Sequence, residues 1–258
     1  MIVLGFDTAT QATVVGLRLA DGSTLAARDD PRPQEHPGHA TRLLAMTGEL
    51  LAQAGIRWGA LERIAVGIGP GRFTGLRVGI ATARGLAQSL DAELTGVSSL
   101  QALGLSASAH EPGRAILAVI DARRDEAFAA GYPSSVEFAR ERRAGEPLAG
   151  EIELPRALGA AQLQGVVEEL ERRGAAPGER WLAVGDGAAR FAQQLMRAGV
   201  EVVAEGTGLR AIDPLAICEL GASATPAEAS AQILPDYRRT PDAALARERP
   251  LAPGGAAP

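Results

Sequence analysis

An apolar run that ends in an acid occurs twice in this chain, at Ile2–Asp7 and again at Ala115–Asp121. After the first, Ala12–Leu19 and Ser23–Arg28 are split by the turn Ala20-Asp21-Gly22, which makes a three-strand meander. Gly38–Ala54 then carries Ala40, Leu43, Leu44, Thr47, Leu50, Leu51 and Ala54 at helical spacing. Ile64–Ile68 reads as a buried strand broken by Gly69-Pro70-Gly71, with Thr74 capping a helix that runs to about Leu90. After the second acid, Glu126–Tyr132 reads as the hairpin mate, Leu158–Arg173 as a helix, Trp181–Val184 as a strand and Ala188–Ala198 as a helix. Aligning Asp7 with Asp121 sets Val3 on Leu117 and Val14 on Phe128. The order of elements carries the repeat, since identity between the halves is low.

Two βββαβα units imply an α/β chain of the actin-like (ASKHA) kind, with two ribonuclease-H-like lobes and a cleft between them. The expected division is an N-terminal lobe over 1–106, a C-terminal lobe over 107–239 and a disordered tail over 240–258. The connector falls around Ala107–Gly113, and a last helix at about 213–223 is expected to pack back on the first lobe. Pro133–Pro155 is charged and punctuated by Pro and Gly, the pattern of a loop or irregular strand. The tail, rich in Ala, Pro and Gly, lacks the apolar pattern a core needs.

Composition narrows the chemistry. The chain has 258 residues, 46% of them hydrophobic, enough for one large or two small cores. It contains no lysine and no asparagine. Walker-A phosphate binding and Schiff-base or pyridoxal chemistry need a lysine, so those classes are excluded. A single cysteine, Cys218, permits no intramolecular disulfide and fits a reducing compartment; it reads as a packing residue. Asp7 interrupts the opening apolar run, which therefore reads as a strand and not a signal peptide. No stretch approaches the ~18 uncharged apolar residues of a membrane span, so a cytoplasmic location is expected. The net charge is -5, aromatics are 3%, and the arginine pairs lie close to acids. Unaided binding of RNA is not expected from such a chain.

Several local patterns carry two readings each. Asp7 ends the first strand at Asp7-Thr8-Ala9-Thr10, where an actin-like ATPase places a cleft acid near metal and phosphate; the alternative is an acid satisfied by backbone N–H groups at a turn. The second turn, Asp121 to Glu126, has no glycine and adds acids where an anion would approach. Gly69-Pro70-Gly71-Arg72-Phe73-Thr74-Gly75 joins a strand to a helix N-terminus, a place that can hold anions or simply turn tightly. His36 and His39 beside Glu35 lack a third metal ligand and read as a solvated helix entry, and His110 falls in the connector. Gly96-Val97-Ser98-Ser99-Leu100 lacks the closing glycine of a serine-nucleophile elbow.

The runs LGFDTAT, HATRLL, GPGRFTGLRVG at 69–79, GVSSLQAL, IDARRDEAF, VGDGAARF and the late LPDYRR resemble the TsaB (YeaZ) family. Arg72 stands where that family more often has serine, and about 133–180 carries no match. The resemblance implies a non-catalytic subunit that pairs with a TsaD-like catalytic paralogue, joined by a TsaE-like ATPase. That machinery places a threonylcarbamoyl group on N6 of adenosine 37 of tRNA. It implies further that this chain has no cofactor of its own, that ATP and metal sit on the partner, whose H-x-x-x-H pair is missing here, that tRNA is met only through the complex, and that the subunit forms homodimers when alone. An actin-like small-molecule kinase or ATPase is the alternative, and a metallopeptidase a more distant one.

The partner surface is expected on the outside of the first lobe. Turned at 100° per residue, the helix from Thr74 to Leu90 puts Leu76, Gly79, Ile80, Ala83, Leu86, Ala87 and Leu90 inward. Val78, Ala81, Thr82, Gly85 and Ser89 face outward without a charge, and Arg77, Arg84 and Gln88 lie along one edge. A solvated helix face is normally polar, so this one is expected to be covered, with Gly79 and Gly85 allowing a close helix approach. The neighbouring helix is expected to add Arg42, Ala45, Met46, Glu49 and Gln53.

Overall fold

The computed structural model describes residues 1–32, 35, 37–136, 142–143 and 147–238. His36, the middle of the 133–155 stretch and the 240–258 tail lie outside the described residues. The chain opens with β1 (Val3–Asp7), β2 (Thr13–Arg18), β3 (Thr24–Asp29), α1 (His39–Ala54), β4 (Arg63–Gly69), α2 (Phe73–Leu90), β5 (Glu93–Ser98) and α3 (Ser99–His110). The first three strands are antiparallel and β4 and β5 run parallel to β1, giving the order β3-β2-β1-β4-β5. There follow β6 (Ala115–Arg123), β7 (Glu126–Tyr132), β8 (Arg142–Arg143), β9 (Ile152–Gly159), α4 (Ala160–Gln164), α5 (Val166–Arg172), β10 (Trp181–Val184), α6 (Asp186–Arg190), α7 (Ala192–Arg197) and β11 (Glu201–Val202). Their sheet runs β11-β10-β6-β7-β9, the same third-second-first-fourth-fifth order read from the other edge. Two copies of one topology are what the repeated acid-ended strands required. The last elements are α8 (Pro214–Ser223) and β12 (Ala224–Thr225), which pairs with β8.

Alternation along the strands sorts the core into three layers. Leu4, Phe6, Val15, Leu17, Ile64 and Val66 pack against Leu43, Leu50, Ile80 and Ala83 of α1 and α2. Val3, Val14, Ala65 and Val97 face the other way, onto α3 and α8 and through them onto Ile116, Ala118, Ile120 and Phe128 of the second sheet. Leu117, Val119, Trp181 and Ala183 close the far side against α4 to α7. Thus α1 and α2 form one outer layer, α3 and α8 the layer between the sheets.

Helix α8 lies against the first sheet because that sheet has glycines where the helix touches it. A Cβ on Gly5 would stand 2.7 Å from Cys218 Sγ, and one on Gly16 2.8 Å from the Pro214 carbonyl. Cys218 is buried there, and burial pushes its thiol up to about 12, away from reactive thiolate. Arg63 of β4 ends the helix from below, its Nη1 donating to the carbonyls of Gly221 (2.9 Å), Ala222 (2.8 Å) and Ala224 (3.0 Å). These are carbonyls the helix terminus leaves without partners, and the cation also complements its dipole. Among the described residues no helix is long and apolar enough to cross a membrane.

Several expectations need correction. Each unit is longer than βββαβα, because β5 and α3 follow α2, and α3 takes up most of the expected connector. Helix α3 is buried nearly all round, so it lacks the amphipathic period that marks a surface helix. Thr74 lies inside α2; the helix starts at Phe73, and Arg72 stands at its cap position without a side-chain bond. Strand β9 occupies 152–159, so the helix expected from Leu158 begins only at Ala160 and breaks at Gly165. The helix expected from Ala188 begins at Asp186 and breaks at Phe191.

The alignment of Asp7 with Asp121 is off by one residue. Val3 faces the middle layer, whereas Leu117 faces the outer helices. A one-residue slip reverses every side chain of a strand, so the two acids point to opposite faces of their sheets. The pairings agree: Asp7 lies opposite Val14, but Asp121 opposite Ala127 and not Phe128.

Candidate functional site

The glycine-rich loop at 69–75 is clamped onto the turn after β1. A Cβ on Gly71 would stand 2.5 Å from both Cβ and O of Ala9, and one on Gly75 1.9 Å from the Thr8 carbonyl oxygen. Arg72 N–H donates to Ala9 O at 2.7 Å, and Thr8 Oγ1 donates to Gly75 O at 2.8 Å. The start of α2 is therefore covered by the chain itself, and the glycines exist because two backbones touch. Gly79 belongs to the same contact, since its Cβ would stand 2.4 Å from Thr8 Oγ1; its smallness serves the chain's own sheet and not a partner helix. Phe73 and Thr74 remain exposed at the rim.

Asp7 is buried, and its two carboxylate oxygens accept from Ala9 N–H (2.6 Å) and Ser99 Oγ (2.5 Å). A Cβ on Gly67 would lie 1.8 Å from Asp7 Oδ2, so the strand alongside leaves no room there for a ligand. Burial raises its pKa, and the two hydrogen bonds pull it back down. His39 is buried as well, contrary to the solvated helix entry expected for it, with Nδ1 2.9 Å from Thr13 Oγ1. Desolvation, then the Arg72 charge, lowers its pKa. Among the described residues no three of His, Cys, Asp and Glu are grouped to hold a metal ion.

The second sheet's turn is held from within. Asp121 accepts from its own Arg123 N–H at 2.8 Å and pairs with Arg190 at 3.3 Å, and Arg190 also reaches Asp125 at 2.9 Å. Arg123, Arg124 and Asp125 are left-handed (φ 65°, 53° and 60°), a conformation glycine would reach without strain. Asp186 at the start of α6 accepts from Asp121 N–H at 3.0 Å, and desolvation pushes its carboxyl up to about 6. Arg72, reaching over from the first lobe, feels the charges of Arg123, Asp121 and Asp186. The cleft keeps a cavity of ≈ 420 Å³ lined by Thr10, Gln11, Arg28, Asp30, Asp186 and Arg210, among others. From the second lobe its wall presents the Asp186 carboxylate, which already accepts from Asp121 N–H, beside Arg210.

The outer helices differ from the cleft in being open. On α2, Ala81, Gly85 and Ser89 are exposed, Val78 and Thr82 half-buried, and nothing approaches within 4 Å of a Cβ on Gly85. On α1, Arg42, Ala45, Glu49 and Gln53 are exposed, and Arg42 pairs with Asp29 at 3.0 Å. Met46, expected to point outward, is 2% exposed and belongs to the core with Leu43 and Leu50. Arg77 is exposed but engaged, donating to Tyr237 Oη at 3.1 Å.

Sequence reasoning missed Ser99, Asp186 and Arg190, the partners that hold the two acids. Ser99 follows the Ser98 cap of α3, and the serine pair there was the available signal. Asp186 and Arg190 stand four apart in DGAAR, at the start of a helix that was placed two residues late.

The family model described as "TsaD: tRNA N6-adenosine threonylcarbamoyltransferase" matches residues 34–231. The tRNA threonylcarbamoyladenosine biosynthesis protein TsaB of Escherichia coli is 38% identical over 132 residues, covering 51% of this chain and 55% of that protein. The Bacillus subtilis protein of the same name is 31% identical over 132 residues, again covering 51% and 55%. The chain spans about half the length of the curated relatives it matches. A solved Pseudomonas aeruginosa structure, titled an uncharacterized protein with similarity to peptidase YeaZ, superposes with a TM-score of 0.68 at 30% identity, over 92% of this chain and 99% of that one.

Proposed function

Since the chain belongs to the TsaB (YeaZ) group within the TsaD family, we propose that it is the non-catalytic subunit of a tRNA threonylcarbamoyladenosine machinery and docks a TsaD-like catalytic subunit through the outer faces of α1 and α2. The observation that carries this reading is the outward stripe of α2. Ala81, Gly85 and Ser89 are exposed, small and uncharged on a helix whose opposite side fills the core. A helix left in water is normally polar there, whereas small side chains let a second helix approach to about 8–10 Å. A paralogous partner would present the same pair of outer helices, and two pairs make a four-helix contact.

The cleft supports the non-catalytic half of the proposal. Asp7 is packed against Gly67 and bonded to Ser99, and Asp121 is committed to Arg123 and Arg190. Neither acid is presented to a nucleotide or its metal. ATP and metal then belong to the partner, and a TsaE-like ATPase joins the assembly. The protein works in the cytoplasm, pairs with itself when the partner is missing, and meets tRNA only within the complex. The test is reconstitution. The TsaD-family subunit of the same genome, with its ATPase and threonylcarbamoyl donor system, is assayed for modified adenosine in tRNA with and without this chain. Modification that depends on the chain is expected; equal modification without it would sink the proposal.

A further inference from the structure

Residues 227–238 return from the second lobe and lie along the first as a strap. Ala227 N–H donates to Leu94 O at 2.9 Å and Asp236 N–H to Ile68 O at 2.8 Å. Arg84 Nη2 donates to Ile233 O at 2.6 Å, which draws that cation to the strap side of α2. Beyond it, Arg238 is 7% exposed, pairs with Asp236 (2.7 Å) and Glu153 (3.1 Å), and donates to Leu154 O of β9 at 3.3 Å. The strap is thus fastened to both lobes.

On this fixed base stand side chains that water does not favour. Phe73, Leu234 and Tyr237 are 51%, 64% and 46% exposed. The Phe73 and Tyr237 rings stack with centroids 5.2 Å apart, and the Arg77 guanidinium lies 3.7 Å over the Phe73 ring. A chain with only 3% aromatic residues has placed two of them together at its surface. Stacking of this kind, with a cation above it, strengthens as water is removed.

We propose that the strap is part of the docking surface: the TsaD-like partner that covers α2 also closes over Phe73, Leu234 and Tyr237, laying an apolar side chain on the rings and a carboxylate against Arg77. The inference rests on the docking role given to α2 above. Continuity supports it, because Arg77, Ala81 and Gly85 are i, i+4 neighbours on one face and Arg77 holds Tyr237. Preorganisation supports it too, since a strap already bonded to both lobes costs little ordering on association. Protein fits better than RNA. Asp236 and Glu153 put carboxylates beside the patch and Arg84 and Arg238 are engaged internally, so Arg77 is left to meet a single carboxylate and not the run of phosphates an RNA strand brings.

The experiment titrates the full chain and its Leu234→Ser, Tyr237→Ala and Tyr237→Phe variants against the TsaD-family subunit, with circular dichroism as the check on folding and Ala81→Arg as reference. Tyr237→Ala is expected to weaken the complex roughly thirtyfold and Leu234→Ser about tenfold, as for truncated anchors at the centre of an interface. Tyr237→Phe keeps the ring and should bind near wild type. If Ala81→Arg abolishes binding while Tyr237→Ala and Leu234→Ser bind as wild type, the strap lies outside the interface; this proposal falls and the docking role of α2 stands. If the wild-type chain does not bind the subunit, both fall. If the variants change only self-association, or only tRNA capture by the assembled complex, the occupant is a second copy or RNA and the proposal is overturned.

Discussion

Two glycines of α2 should respond to the same substitution with opposite signs. A Cβ on Gly75 would stand 1.9 Å from the Thr8 carbonyl oxygen, whereas a Cβ on Gly85 meets nothing within 4 Å. In Gly75→Ala the overlap exceeds ~1 Å against any ordinary contact, and the neighbour is backbone at the end of β1, which cannot swing aside. Helix and turn must separate, at about 1–3 kcal/mol for an overpacked contact. The 2.8 Å bond from Thr8 Oγ1 to Gly75 O is strained with it, adding about 1 kcal/mol. The sum is about 2–4 kcal/mol, a lowering of Tm by roughly 5–15 °C for a chain of this size. Gly85→Ala removes the backbone entropy of an exposed helix glycine and should stabilise by about 1 kcal/mol, raising Tm by roughly 2–4 °C. Thermal unfolding followed by circular dichroism measures both. If Gly75→Ala melts with the wild type, the clamp between the signature loop and the β1 turn is not what those glycines serve.

Asp186→Asn keeps an acceptor for Asp121 N–H but removes a carboxyl that burial pushes up to about 6. Below that value the folded chain binds a proton that the unfolded chain releases near pH 4, so this group's contribution to stability falls as pH rises through 6. The variant should gain up to about 3 kcal/mol at pH 7, less whatever solvent already relieves, and lose that slope between pH 4 and 6; urea unfolding at several pH values reads it. Arg63→Met leaves the carbonyls of Gly221, Ala222 and Ala224 without their donor and should destabilise by at least ~3 kcal/mol in the same assay. The isolated protein is expected to show no saturable ATP turnover in a phosphate-release assay; turnover that disappears in Asp7→Asn would contradict the reading of Asp7 as a packed acid.

The strands and the outer helices were legible because their hydrophobic patterns are regular. Glu126–Tyr132 and Trp181–Val184 appear at the expected bounds, and α2 starts one residue early. Helix α3 was not legible because a helix buried on all sides has no polar face to set a period. Met46 was misplaced because a thioether at the margin of an amphipathic stripe is free to turn inward, and here it fills the core beside Leu43. The acids were recognised but their partners were not. Ser99 lies 92 residues from Asp7, and no local pattern announces such a contact. The repeat was visible in its order of elements and misaligned by one residue, a slip that only the observed register of the strands corrects. The strap was legible only as a motif, LPDYRR, because what it does depends on being laid against α2.

Under the proposed function the chain acts by presenting the outer face of α2 to a TsaD-like subunit. Ala81 and Gly85 are exposed on that face and point away from the core, so Ala81→Arg and Gly85→Arg should fold as the wild type does. An arginine driven unpaired into a close helix contact costs about 3–5 kcal/mol, a loss of at least two powers of ten in affinity. Calorimetric titration of each variant against the subunit, with circular dichroism confirming the fold, measures it directly. Folded variants that no longer bind are the predicted result; folded variants that bind with wild-type affinity would contradict the account.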